Sequence, residues 1–319
     1  MKFSFSKATL LTSTFLVMFI SCGKLGDLLN SDMSQFNSDS NALKGDLDQV
    51  DTDINDALGD LPGFGKNETG LSLSSSALCG VIIDTSDMDQ NILYFNFDGT
   101  TPCFSPSRTR SGQIKVELIY GTNWSNAGSV IRETFIDFKT TRLSDNKSIT
   151  FNGEKTLKNL NGIDWIGFFF STSSFRFQER ALNIDVTFDN NQSAVWNSAR
   201  ITEWSYVQGN STPGIQTPYI AFEASGDTSL NGTSTVDSWG TNRYQQDFLT
   251  YYNSAIRSNT YCGLWRPNSG ELVHEVAGNQ YGLKLGVDQN GNPTSANCAY
   301  GFEISWDING TANSQVFSY

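Results

Sequence analysis

The chain has 319 residues, with 33 acidic against 21 basic side chains and a net charge of −12. An acidic protein repels phosphate backbones and gains no affinity from counterion release, which argues against nucleic acid as a partner. Aromatic residues make up 13% of the chain, enough to build a sizeable core.

Met1-Lys2 and Lys7 precede an apolar run from Leu10 to Ile20, followed by Ser21 and Cys22. A short positive region, an apolar stretch and a small residue before the cut predict a signal peptide over residues 1–21. The run is too short to cross a bilayer as a helix. Phe19-Ile20-Ser21-Cys22 resembles the lipobox of bacterial lipoproteins, in which the cysteine thiol is acylated and becomes the new N-terminus. No small-x-small cleavage site competes nearby; a cut elsewhere, with Cys22 incidental, is the alternative. The expected anchor is therefore a palmitate-bearing, diacylated Cys22 in the bilayer, each buried CH₂ contributing about 0.8 kcal/mol. Removing the signal takes away Lys2 and Lys7, leaving 19 basic and 33 acidic side chains and a net charge of −14. Gly23-Lys24-Leu25-Gly26-Asp27 lacks the acidic run that marks some lipoproteins for surface export. The expectation is thus an outer-membrane anchor facing the periplasm.

Residues 22–66 read as a separate acidic segment. Between Leu25 and Asp60 stand nine aspartates and one lysine, Lys44. Leu29, Met33, Phe36, Leu43, Leu47, Val50, Ile54, Ala57 and Leu61, with Ser40 the one polar member between Phe36 and Leu43, recur at steps of three and four, a helical seam. Gly45, Gly59 and many Asp, Asn and Ser residues lower helix propensity. The series predicts an amphipathic helix laid on the following domain, broken near Ser40 and ended by Pro62-Gly63. A fluctuating acidic tether and a coiled-coil stalk are the alternatives. Asp51-Thr-Asp53-Ile-Asn55 is not a calcium loop, because Pro62 stands where the closing glutamate belongs.

From residue 67 to 319 the period is two. Ile114, Val116, Leu118 and Tyr120 alternate with polar residues. So do Leu182, Ile184, Val186 and Phe188, then Tyr281, Leu283, Leu285 and Val287, then Tyr300, Phe302, Ile304, Trp306 and Ile308. Alternation with one dry face marks antiparallel sheets. Asn-Gly or Asp-Gly steps occur at Asp98, Asn152, Asn161, Asn231, Asn290 and Asn309, and most of them fall between such runs as hairpin signals. The prediction is an all-β fold, a long antiparallel meander of about fourteen strands. So many strands must curl into a barrel, a half-barrel or a sandwich.

Cys79, Cys103, Cys262 and Cys298 are an even set in an exported chain and predict two disulfides. Local pairing, Cys79–Cys103 and Cys262–Cys298, is preferred because each couple flanks one or two strands. Crossed pairings and free buried thiols remain the alternatives. No cysteine or histidine spacing suits a metal, and no cofactor motif occurs. The single histidine, His274, lies on a strand face with Leu272 and Val276 and reads as a packed residue. No nucleophile elbow accompanies it. The 33 acidic residues leave a two-carboxylate hydrolase as a remote alternative.

The most distinctive segment is Val195 to Tyr206. Trp196, Ser198, Arg200, Thr202, Trp204 and Tyr206 share one strand face, and Val195, Ala199 and Ile201 the other. The aliphatic face is expected toward the core, which turns the aromatic face outward or into a barrel lumen. Trp196, Arg200, Trp204 and Tyr206 are then candidate ligand contacts, since tryptophan and arginine stack on sugar rings and other flat groups. Ordinary packing, with Arg200 over Trp196 and Trp204, is the competing reading. Trp124, Trp165, Trp239 and Trp265 could extend that surface.

Cys103, Arg108-Thr-Arg110-Ser-Gly112, Trp196, Arg200, Trp204, Gly209, Gly226, Gly232, Cys262, Pro267-Asn-Ser-Gly270 and Cys298 occur in an order that is similar to a family of uncharacterised β-rich lipoproteins of Bacteroidetes, over about residues 79 to 310. The resemblance implies an envelope location and lends no catalytic residue. The expected function is a non-catalytic, membrane-anchored envelope lipoprotein that binds a glycan or surface partner; a scaffold of an envelope complex is the alternative.

Overall fold

A computed structural model describes residues 31–61, 64, 78–103, 107–162, 168, 174–208, 218–294 and 298–319. The signal peptide, Cys22, Leu29, Pro62, Gly63, Trp165 and Gly209 lie outside the described residues. Among the described residues the architecture is all-β with one long α-helix, as the alternation of the sequence requires.

The helix α1 spans Ser31–Asp60 without interruption. The expected break near Ser40 is absent, because buried Phe36 and Leu43 on either side and the Asp39–Arg243 pair hold that turn against the sheet rather than leaving it to its own weak propensity. The strands follow in order: β1 (Val81–Asp84), β2 (Ile92–Asp98), β3 (Arg108–Tyr120), β4 (Val130–Arg142), β5 (Ser148–Asn159), β6 (Phe175–Phe188), β7 (Ser193–Val207) and β8 (Tyr219–Gly226). Then come β9 (Thr228–Leu230), β10 (Thr233–Thr241), β11 (Asp247–Asn259), β12 (Ser269–Val276), β13 (Asn279–Val287), β14 (Gly301–Ile308) and β15 (Thr311–Ser318). All pairings are antiparallel, and neighbours in sequence are neighbours in the sheet except around β8 to β10.

That exception has a simple geometry. β7 pairs with β8 through Arg200–Val207 and with β10 through Val195–Ser198. β11 pairs with β10 near its start and with β8 near its end. β8 and β10 therefore lie end to end in one lane between β7 and β11. The excursion between them is the short β9 hairpin, turning at Asn231-Gly232. At the junction Gly226 abuts Thr235, where a Cβ would fall 2.0 Å from a carbonyl oxygen. Only glycine fits there.

Inward-facing residues follow the expected alternation: Ile114, Val116, Leu118, Ile184, Val186, Phe188, Tyr281, Leu285, Phe302 and Ile304 are buried. Three expected core residues are exposed instead: Tyr120 at 68%, Leu182 at 61% and Tyr300 at 42%. Tyr120 and Leu182 sit at register shifts, Leu118/Tyr120 against β4 and Ala181/Ile184 against β7, and a bulge moves the side chain to the other face. Tyr300 precedes the first residue of β14, so the strand's alternation does not reach it. Both predicted disulfides are present, Cys79–Cys103 enclosing β1 and β2, and Cys262–Cys298 enclosing β12 and β13.

The helix fills the concave side of this sheet. Phe36, Leu43, Leu47, Val50, Ile54, Ala57 and Leu58 belong to the same buried cluster as the inward residues of the strands. Each such side chain contributes roughly 1.5–3 kcal/mol on burial. Its polar partners run from Arg108 on β3 to the ring of His274 on β12. Seven strand spacings of about 4.8 Å would separate those strands in a flat sheet, roughly 34 Å. A helix with its side chains is only about 10–12 Å across. The sheet must therefore wrap around the helix, and no described helix residue from Asp39 to Leu58 is fully exposed. The acidic segment is the centre of the β domain rather than a tether laid outside it.

Candidate functional site

The helix carries its aspartates into the sheet, and the inner face of the sheet answers with cations. Asp39 pairs with Arg243, Asp46 with Arg108, Asp48 with Arg200, Asp51 with Lys155 and Asp53 with Arg110. Lys44 reverses the sense and pairs with Asp237 of β10. Neutral contacts add to these. Thr140 Oγ1 donates to Asp46 at 2.6 Å, and Trp124 Nε1 donates to Asn55 Oδ1 at 2.8 Å. Phe36 stacks on the His274 ring with centroids 4.0 Å apart.

The densest part lies at mid-helix. Lys155 on β5 is fully buried and bridges Asp51 of the helix and Glu133 of β4, the latter at 3.0 Å. Arg200 on β7 bridges Asp48 and Glu179 of β6, the latter at 2.8 Å. Ser198 Oγ donates to the other Glu179 oxygen at 2.9 Å. Asp48, Asp51 and Glu179 bring ligand oxygens within 4.8 Å of one another. That spacing could hold a cation, and Lys155 and Arg200 supply two.

Formal charges do not balance across this interface. Asp39, Asp46, Asp48, Asp51, Asp53, Glu133, Glu179 and Asp237 face Lys44, Arg108, Arg110, Lys155, Arg200 and Arg243, an excess of two negative charges. Titration behaviour follows. Burial raises the carboxyls of Asp48, Asp51 and Glu133 above their ordinary values, and the cations beside them recover only part of that. Glu179 is the opposite case: burial would raise it, but Arg200 and Lys155 outweigh burial and hold it at about 2. Burial would lower Lys155, yet Asp51, Glu133 and Glu179 keep it charged. His274 is driven down to about 3 by burial and then by Lys44, so it stays neutral. Its Nδ1 meets Thr250 Oγ1 at 2.9 Å.

Of the placements expected for the aromatic strand, the structure shows the inward, packed one. Trp196 and Trp204 are buried in the core cluster, and Tyr206 packs against it. Trp196 meets Phe248 with centroids 4.9 Å apart and lies under Lys44, and Trp204 meets Phe222 at 4.7 Å. Arg200 is bound by the two carboxylates. The face bearing Trp196, Arg200 and Trp204 is thus turned toward the helix, and the expectation that the aliphatic face alone marks the core is corrected. Arginine sits on that face because the helix brings Asp48 to meet it, and Ser198 because its hydroxyl donates to Glu179 of the neighbouring strand. Of the other tryptophans, Trp124 is buried over the end of the helix, whereas Trp265 is 44% exposed.

Compared with known proteins, the chain matches no family model, no curated protein and no solved structure.

Proposed function

We propose that this protein is a lipid-anchored module of the bacterial cell envelope whose β domain acts as a structural, non-catalytic scaffold. One observation carries the reading: the cavity a curled sheet would offer to a ligand is filled by the chain's own helix, which Arg200 and Trp196 contact through Asp48 and Lys44, while Trp204 and Tyr206 are taken up in the surrounding core. Ser31, where that helix begins, follows the proposed acyl anchor at Cys22 by nine residues. The domain would stand close to the bilayer surface, facing the periplasm. Cys22→Ala should abolish palmitate incorporation and move the chain from the membrane fraction to the soluble one. Sedimentation with membranes unchanged in that variant would sink the anchor. Protease accessibility in intact cells reads which side of the outer membrane the domain faces.

A second reading, capture of a glycan or surface partner, rests on a different surface from the one the sequence suggested. Tyr261, Trp265 and Tyr300 are partly exposed around the Cys262–Cys298 disulfide. Aromatic faces held on a rigid loop suit sugar rings. A glycan array whose signal disappears with Trp265→Ala supports it; no signal above background removes it.

A further inference from the structure

Sheets with free edges normally protect them with short strands, charges, proline or bulges. The two edges of this sheet differ. β1 has four residues and ends in Asp84. β15 has eight, Thr-Ala-Asn-Ser-Gln-Val-Phe-Ser, with no charge and no proline. Its register with β14 runs through eight successive pairs without a bulge. Among the described residues no strand pairs with its outer side.

The hydrogen-bond alternation shows what that outer side presents. Tyr319 N–H donates to Tyr300 O at 3.1 Å. In an antiparallel ladder the bonded residues alternate, so Phe317, Gln315, Asn313 and Thr311 direct their backbone groups to β14. The N–H and C=O groups of Ala312, Ser314, Val316 and Ser318 then point away from the sheet. The side chains alternate the other way: Phe317 lies opposite Phe302 on the concave face, with Gln315 and Asn313 in the same row.

We propose that β15 is a homotypic docking edge, pairing antiparallel with β15 of a second copy about a two-fold axis at Ser314. A two-fold perpendicular to the sheet keeps both concave faces on one side. It sets Ser314 opposite the partner's Ser314, Ala312 opposite the partner's Val316, Asn313 opposite the partner's Gln315 and Thr311 opposite the partner's Phe317. Each opposition is compatible: hydroxyl with hydroxyl, small apolar with branched apolar, amide with amide. Ser314 with its mate, and Ala312 with Val316 in both directions, exchange backbone bonds. A second copy is favoured as occupant because a two-fold at Ser314 sets every other side chain from Thr311 to Phe317 against an uncharged one of the same strand, and Ser314, on the axis, against itself. Any charge there would face its like, a destabilising arrangement, and β15 has none. An isologous contact also closes at two copies, so it does not run on into fibres.

Sedimentation equilibrium of the purified full exported chain, in density-matched detergent, tests this whatever the state of the anchor. The mass should double with rising concentration. Ser314→Pro removes an outward N–H without touching the ladder to β14 and should weaken dimerisation about tenfold or more. Ser314→Lys and Ser314→Glu should each be monomeric alone and associate when mixed. Circular dichroism of each variant establishes that it is folded. A monomer at every concentration, a dimer indifferent to Ser314→Pro, or failure of the Lys/Glu mixture to associate overturns the proposal. So does recovery of a different polypeptide bound at β15.

Discussion

Lys155 is the residue on which most of the buried charge depends. Its ammonium group lies between Asp51 and Glu133 with no exposed surface. Lys155→Met would leave two carboxylates buried without their cation, and removing one member of a buried pair costs about 3–5 kcal/mol. Asp51→Asn should cost much less, because the cluster already carries excess negative charge and Lys155 keeps Glu133. Urea unfolding of both variants checks the asymmetry; equal losses would refute the charge count. Trp124→Phe removes the indole donor to Asn55 together with part of a fully buried ring, and leaves that acceptor buried. A loss of about 1–3 kcal/mol is expected.

Titration at the same cluster gives stability a direction with pH. For Asp48, Asp51 and Glu133 the folded chain holds protons more tightly than the unfolded one. Their contribution is greatest while they stay protonated and is lost as pH rises from the ordinary carboxylate range through their raised values. Glu179 works in the opposite sense: its contribution is present above its ordinary value of 4.5 and lost as pH falls toward about 2. The thermal midpoint should peak in mild acid and decline toward neutral pH. Asp51→Asn should flatten that decline. A midpoint that rises steadily from acid to neutral would contradict the assignment.

At the scale of elements, the helix and the strands were legible to different degrees. The strands follow from alternation, and the disulfides from local flanking, because both are short-range signals. Of the three failures, Tyr120 and Leu182 lie at bulges, which shift a side chain by one residue and leave little trace in hydrophobic pattern, and Tyr300 lies just outside its strand. The seam from Phe36 to Ala57 marked the helix, but its place did not follow from it. The available clue was charge on dry strand faces: Lys155 between Phe151 and Leu157, Arg200 between Trp196 and Trp204, and Arg110 before Ile114. Such residues look like exceptions until an acidic helix is laid against them. Both faces of β7 carry apolar side chains, so local pattern could not decide which one meets the core. Ile54→Ala, at a fully packed contact of helix and sheet, should lower stability by about 2–5 kcal/mol. Reduction of the two disulfides, which close sequence separations of 24 and 36, should remove about 2–4 kcal/mol each. Both are read from denaturation midpoints.

At the scale of the molecule, one thread of charge and packing joins β3 to β12 through the helix. The two halves of the sheet meet on that shared element, and the lane filled by β8 and β10 lies midway between them. Limited proteolysis should therefore spare the chain as a unit, with cleavage first at exposed turns such as Asn231-Gly232. Early release of the helix alone would show that it is not integral.

Chain order gives this arrangement a kinetic consequence. The helix precedes every described strand, so it is synthesised before the sheet it will fill. A meander this wide has to find its curvature through non-local contacts, which is slow. An element already present along the axis gives each arriving hairpin a surface to condense on. The helix then serves as a mandrel during biogenesis as well as a core afterwards.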